Sequence, residues 1–114
     1  MAMTRFKLVF FVPATNTGAV LDHLFSRFPQ HVGKIGNYER CAFFSRGSGQ
    51  FRPTTGANPA IGVVGELEHV EEDRVEVLVH DEKLVAGIKD VVEELKKIHP
   101  YETVAYDVYK LEDI

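Results

Sequence analysis

Apolar residues recur along this chain with two spacings, one of two residues and one near 3.6. Phe6 to Val12 is apolar except for Lys7. Phe6, Leu8, Phe10 and Val12 would line one face of a strand and Val9 and Phe11 the other, so both faces call for cover. Pro13 stops the run, and Thr15, Asn16 or Thr17 can cap a helix. Val20, Leu21, Leu24, Phe25 and Phe28 follow at helical spacing, with Asp22, His23, Ser26 and Arg27 on the wet side, before Pro29 closes the helix. After Gly33 and Gly36, Tyr38 to Ser45 reads as a second strand, with Cys41 and Phe43 on one face and Ala42 and Phe44 on the other.

Residues 46–60 are rich in Gly, Ser, Thr, Asn and Pro and predict an extended hairpin or lobe, with a short strand at Phe51 and Arg52. Strand character resumes from Ile61 to Val70, Glu71-Glu72-Asp73 reads as a polar turn, and Arg74 to His80 alternates with Val75, Val77 and Val79 on one face. Asp81 then caps a second helix, with Glu82 favoured in its first turn. Leu84, Val85, Ile88, Val91, Val92, Leu95 and Ile98 form its apolar face, and Glu93 and Lys97 make a favourable pair outside. His99-Pro100 ends it, and Val104, Tyr106 and Val108 alternate with Ala105, Asp107 and Tyr109 in a last strand.

The resulting order is strand, helix, strand, strand, helix, strand. It predicts one α+β domain over residues 1–114, a ferredoxin-like βαββαβ sandwich with an elaborated hairpin after its second strand. Two helices cover one sheet face. Val9, Phe11, Ala42, Phe44, Leu78 and Tyr109 would leave an apolar patch on the other, which predicts self-association. The competing arrangement folds a loop of the same chain over that face.

Composition narrows the partners. The 114 residues are 45% hydrophobic, enough for one core. No apolar run reaches the roughly 18–20 residues that span a bilayer, and Pro13 and the missing small-residue cleavage pattern argue against a secretory signal. The expected setting is the cytoplasm. The lone Cys41 excludes an internal disulfide framework and a Cys-based zinc site, and reads as a buried free thiol. The net charge of −4 argues against nonspecific nucleic-acid binding. The charge is uneven: seven Lys/Arg against two acids up to Gly65, then six against fifteen. Opposite halves are expected to pair across the fold or between subunits, although Arg27, Lys34, Arg40, Arg46 and Arg52 could also form a local anion patch.

Two runs carry candidate chemistry. His99-Pro100-Tyr101-Glu102 places an imidazole three residues from a carboxylate, which suits a shared metal or proton. The same run also suits a plain helix-to-strand corner. Arg46-Gly47-Ser48-Gly49-Gln50-Phe51-Arg52-Pro53 could cradle an anion on backbone N–H groups and two guanidiniums. It lacks the lysine of a phosphate-binding loop and no helix follows it, so a turn or subunit contact is its other reading. His80 would sit at the far end of the second helix from His99, roughly 25 Å away at 1.5 Å per residue, so the two could share a site only between subunits. His23, His31 and His69 read as surface or loop residues.

Taken in order, Gly36-Asn37-Tyr38-Glu39-Arg40-Cys41-Ala42-Phe43, Gly47 to Pro53, Ala57-Asn58-Pro59-Ala60-Ile61-Gly62 and His99 to Glu102 with Ala105-Tyr106-Asp107 resemble the YqfO branch of the Nif-three-like family. More narrowly, the chain resembles the domain inserted in the longer members, read here as a stand-alone version. That domain is similar in fold to CutA and the PII signalling proteins, so the resemblance implies a homotrimer. The dinuclear metal site of the longer members lies in flanking domains with no counterpart in these residues, so neither its ligands nor a hydrolase activity carries over. Thr103-Val104 replaces the usual acid and proline, which removes one carboxylate beside Glu102.

The combined expectation is a non-enzymatic, oligomeric binding or regulatory module. It takes a small molecule or partner protein at subunit clefts lined by Arg46, Gly47, Gly49, Arg52, His99 and Glu102. The alternative is a CutA-type divalent-metal binder with His99 and Glu102 as ligands, joined by His80 of another subunit. An enzyme acting on anionic substrates through the glycine-rich run is a third reading.

Overall fold

A computed structural model describes residues 4–114. Four strands and two helices follow in the predicted order: β1 (Thr4–Pro13), α1 (Thr17–Arg27), β2 (Phe43–Phe51), β3 (Glu68–Asp81), α2 (Ile88–Ile98) and β4 (Tyr106–Lys110). The sheet is antiparallel, with strand order β2-β3-β1-β4. This is the ferredoxin-like arrangement that the alternation of periods implied.

The core lies between the helices and one sheet face. Leu8, Phe10 and Val12 from β1 and Val75, Val77 and Val79 from β3 meet Val20, Leu21, Leu24 and Phe25 of α1 and Val91 and Leu95 of α2. The N-cap of helix α1 is Asn16, whose side chain makes no cap bond and accepts instead from the Thr15 hydroxyl; the hydroxyl of Thr17, the first helical residue, donates to Asp73 on the sheet (2.6 Å). Gly33 has φ +75°, and a Cβ there would lie 2.5 Å from the Phe25 ring, so only glycine lets this loop close onto α1.

Several boundaries differ from expectation. Residues 38–42 are not strand; β2 begins at Phe43 and runs through the glycine-rich segment to Phe51. The face assignment changes with it. Phe43 shares a row with Glu76 and Val9 on the open face, whereas Phe44 pairs with Val75 on the helix side. Residues 61–67 form turns and bends rather than strand. Glu71-Glu72-Asp73 is not a turn but the middle of β3, paired with β2 throughout. An acid run reads as a turn by composition, yet here each carboxylate has a place on one face or the other.

Helix α2 begins at Ile88, not after Asp81. Asp81 still acts as a cap at a distance: its carboxylate accepts the Ile88 N–H (2.9 Å) after a short hairpin, Glu82–Ala86, has intervened. That hairpin puts Leu84 outside the core, 99% exposed, with Val85 also in solvent. The rest of the predicted apolar face packs as expected.

Replacing Leu24, fully buried, with Ala should cost about 2–5 kcal/mol through the cavity it leaves. Leu84→Ser should change stability by no more than about 0.5 kcal/mol. Urea unfolding midpoints of the two variants distinguish this arrangement from one with Leu84 on a helix face.

Candidate functional site

Strand β1 ends where Pro13 pairs with Glu72, while β2 and β3 continue beyond it to the Phe51–Glu68 pair. The open face of this extension is roofed by residues 53–61 and by the 101–105 segment that leads into β4. Together they form a cleft of about 460 Å³. Phe11, Phe51, Pro53, Ile61 and Tyr101 give it apolar walls; Arg52, Glu72 and Glu102 supply charge.

The predicted residues divide. Gly49, Arg52 and Glu102 line this cleft. Arg46 and Gly47 do not. Arg46 points to the helix side, where Nε donates to Asp73 (2.7 Å) and a terminal nitrogen to Glu71 (3.0 Å). The Arg46 bond and charge hold the Asp73 carboxyl below its usual range, assisted by the Thr17 hydroxyl and opposed by burial. A basic group tied to two acids of its own chain is not available for an anion. The glycine-rich segment is likewise no free loop, since Gly47, Ser48 and Gly49 are paired along β3.

His99 is buried and stands behind the cleft wall. Its Nε2–H donates to the Phe11 carbonyl (2.7 Å), and its Nδ1 accepts the Tyr101 N–H (3.1 Å). Because a carbonyl only accepts and an amide N–H only donates, the ring is the neutral tautomer with hydrogen on Nε2. Burial lowers its pKa, outweighing the Phe11 carbonyl and the nearby Glu72 charge, which act the other way. With both nitrogens engaged, His99 offers a metal no free lone pair. Glu102 accepts the Asn58 N–H at both oxygens (3.0 and 3.1 Å) and so ties the roof together. His80 donates from Nε2 to the Lys34 carbonyl (2.8 Å). Among the described residues no three His, Cys, Asp or Glu side chains gather around one point. The divalent-metal pair expected at His99 and Glu102 is therefore not preassembled. Cys41 is free and half-buried, ahead of β2 rather than within a strand.

Tyr101 links the parts. Its hydroxyl donates to Oε2 of Glu72 (2.8 Å), its ring packs edge-on to Phe51 at 5.9 Å, and it tilts against His99 at 5.1 Å. Burial, with Glu72 beside it, raises its pKa, so it stays a donor. Glu72 is the cleft residue that composition hid. The signal was the phase of β3: extending the Val75, Val77, Val79 alternation backwards puts Asp73 on the core face and Glu72 on the open one.

No family profile matches the chain. A protein of Halalkalibacterium halodurans named GTP cyclohydrolase 1 type 2 homolog is 46% identical over 107 residues, 93% of this chain and 27% of that protein. A protein of Bacillus subtilis with the same name is 51% identical over 81 residues, 71% of this chain and 21% of its own length. This chain thus spans about a quarter of the curated relatives it matches. Among solved structures, a Bacillus cereus protein related to NIF3 superposes with a TM-score of 0.76 at 38% identity, over 99% of this chain and 27% of that one. The periplasmic divalent cation tolerance protein CutA of Archaeoglobus fulgidus superposes with a TM-score of 0.60 at 15% identity, over 96% and 85%, a likeness of fold alone.

The depressed pKa of His99 has a signed consequence. Above pH 6.5, the ordinary value, the imidazole is neutral in both folded and unfolded chains and its contribution is complete. As pH falls below that value the unfolded chain takes up a proton first, so stability drops until the folded ring protonates too. Denaturant unfolding between pH 7.5 and 5 should show this decline, and His99→Gln should flatten it. The Asp73 contribution is lost only below pH 3.8, its ordinary value, outside this window.

Proposed function

The chain belongs, as the counterpart of about a quarter of its members' length, to the YqfO branch of the Nif-three-like family, and we propose that it is a homo-oligomeric, non-enzymatic binding module. It holds a small ligand in the cleft between the β2–β3 extension and the His99–Glu102 turn. The observation that carries this reading is the cleft itself. Four stretches distant in sequence converge on it, Phe11, residues 49–61, Glu72 and residues 101–105, and its size and mixed lining are those of a small-molecule pocket. A regulatory role, in which occupancy changes how copies or partner proteins meet, accords with its position on the open sheet face.

The same face supports self-association, with the trimer as the proposed state. Phe43 is 67% exposed and Tyr109 also stands in solvent on that side, flanking the row of Val9. Strand β2 is a nine-residue sheet edge with exposed residues along most of its length. A long uncovered edge is a template for another strand. The proposed setting is the cytoplasm, in keeping with a single unpaired cysteine.

Two measurements test this. In a thermal-shift panel of metabolites a ligand present at 100 times its dissociation constant stabilises by about 2.7 kcal/mol. At least one should shift the melting temperature, and Phe51→Ala should abolish that shift. Sedimentation velocity at tens of micromolar should show a species larger than the 12.8 kDa chain. Phe43→Ser combined with Tyr109→Ser should return it to monomer with unchanged circular dichroism. A wild-type monomer would remove the oligomer from the reading.

A further inference from the structure

Glu72 has more acceptor capacity than its surroundings use. It is 9% exposed, and Oε2 is taken by the Tyr101 hydroxyl. Among the described residues Oε1 has no hydrogen-bond partner, although the side chain lines the cleft. Its position is protected by the absence of a side chain opposite. A Cβ on Gly49 would lie 1.9 Å from Oε1, so any residue but glycine would push the carboxylate away. Oε1 is not sealed in: the buried side-chain oxygen without a partner among the described residues is Oδ1 of Asp81, so Oε1 of Glu72 is open to the cleft and can accept a charged donor that a ligand brings.

The rest of the cleft favours a donor of positive charge. Its charged lining is two acids, Glu72 and Glu102, against one base, Arg52, whose Nε is held by the Gly65 carbonyl at 3.0 Å. The walls are the aromatic rings of Phe11, Phe51 and Tyr101, whose faces attract cations. The anion cradle suggested by the glycine-rich run is thus replaced by a site of opposite preference.

We propose that the cleft recognises a protonated amine carried on one or two flat rings, its nitrogen donating to Oε1 of Glu72 and its rings lying against Phe51 and Tyr101. This rests on the reading of the cleft as a ligand site and adds the ligand's chemical class. Gly49 and Tyr101 then act as positioning residues for the carboxylate.

Isothermal titration at pH 7 with tryptamine, the neutral tryptophol and the anionic indole-3-acetate tests the charge preference on one ring system. Tryptamine should bind at least ten times more tightly than either analogue, and Glu72→Gln should remove that preference. In nitrogen-15 spectra of the wild-type protein, tryptamine should shift the amides of Gly49, Phe51 and Tyr101. This second measurement decides the matter if Glu72→Gln does not fold. Equal binding of the three compounds, preference for indole-3-acetate, or shifts confined to other amides would each overturn the amine proposal. The first two would leave a small-ligand cleft in place. Failure of all three to bind would overturn the amine proposal too, while the cleft reading then stands or falls on the metabolite panel and Phe51→Ala.

Discussion

β3 is longer than the windows in which its neighbours pair with it, and the rest of the molecule is arranged around that mismatch. It pairs with β1 from Glu72 to Asp81 and with β2 from Glu68 to Glu76. Where all three strands overlap, the sheet is thick with valine and phenylalanine and the helices close over it. Where β1 has stopped, β2 and β3 continue as a two-stranded arm, and the molecule extends to 50 Å against 26 and 25 Å in its other directions. A lone hairpin is marginal in water, so the arm needs cover from elsewhere. Residues 53–61 and the turn after α2 supply it and enclose the cleft in doing so. Pro13 sets the geometry, because a strand cannot continue its hydrogen-bond ladder through proline in a sheet interior.

The His99–Glu102 run is best understood as the fastening of that cover. His99 bonds to β1, Tyr101 to Glu72 on β3, and Glu102 to the roof at Asn58. Each bond joins segments far apart in sequence; those of His99 and Tyr101 also satisfy polar groups that burial would otherwise leave costly, whereas Glu102 is exposed. The run looked like metal chemistry because imidazole and carboxylate are close in sequence. In space they turn to different tasks, one inward and one toward the roof. Between the fastenings lies the cleft, onto which Glu72 opens with its Oε1 unpaired.

Part of the uneven charge along the chain is paired across the fold. Arg46 of the basic half meets Glu71 and Asp73 of the acidic half, and Arg27 and His23 approach Glu94. The exposed members of this set contribute about 0–1 kcal/mol each, so they orient more than they stabilise. Arg46–Asp73 differs, since Asp73 is buried and also receives the Thr17 hydroxyl. That link joins α1, β2 and β3 at one point.

The element types and their order were legible from the sequence, as was the core. Val20, Leu21, Leu24 and Phe25, and the alternating valines before His80, are patterns that only one face of a helix or strand satisfies, and burial enforces them. The family was legible in the four motifs. Gly49, Arg52 and Glu102 stood out as candidates because glycine, arginine and a carboxylate in loop-like contexts are conspicuous by type, and the fold places all three along the cleft. Tertiary structure alone decided where β2 starts, that Glu71-Glu72-Asp73 is strand, that Leu84 lies outside, and that Glu72 rather than Arg46 faces the cleft. In each case the local preference was weak or misleading and pairing with a distant strand overrode it. Strand pairing fixes which face a side chain takes, and a shift of one residue reverses it.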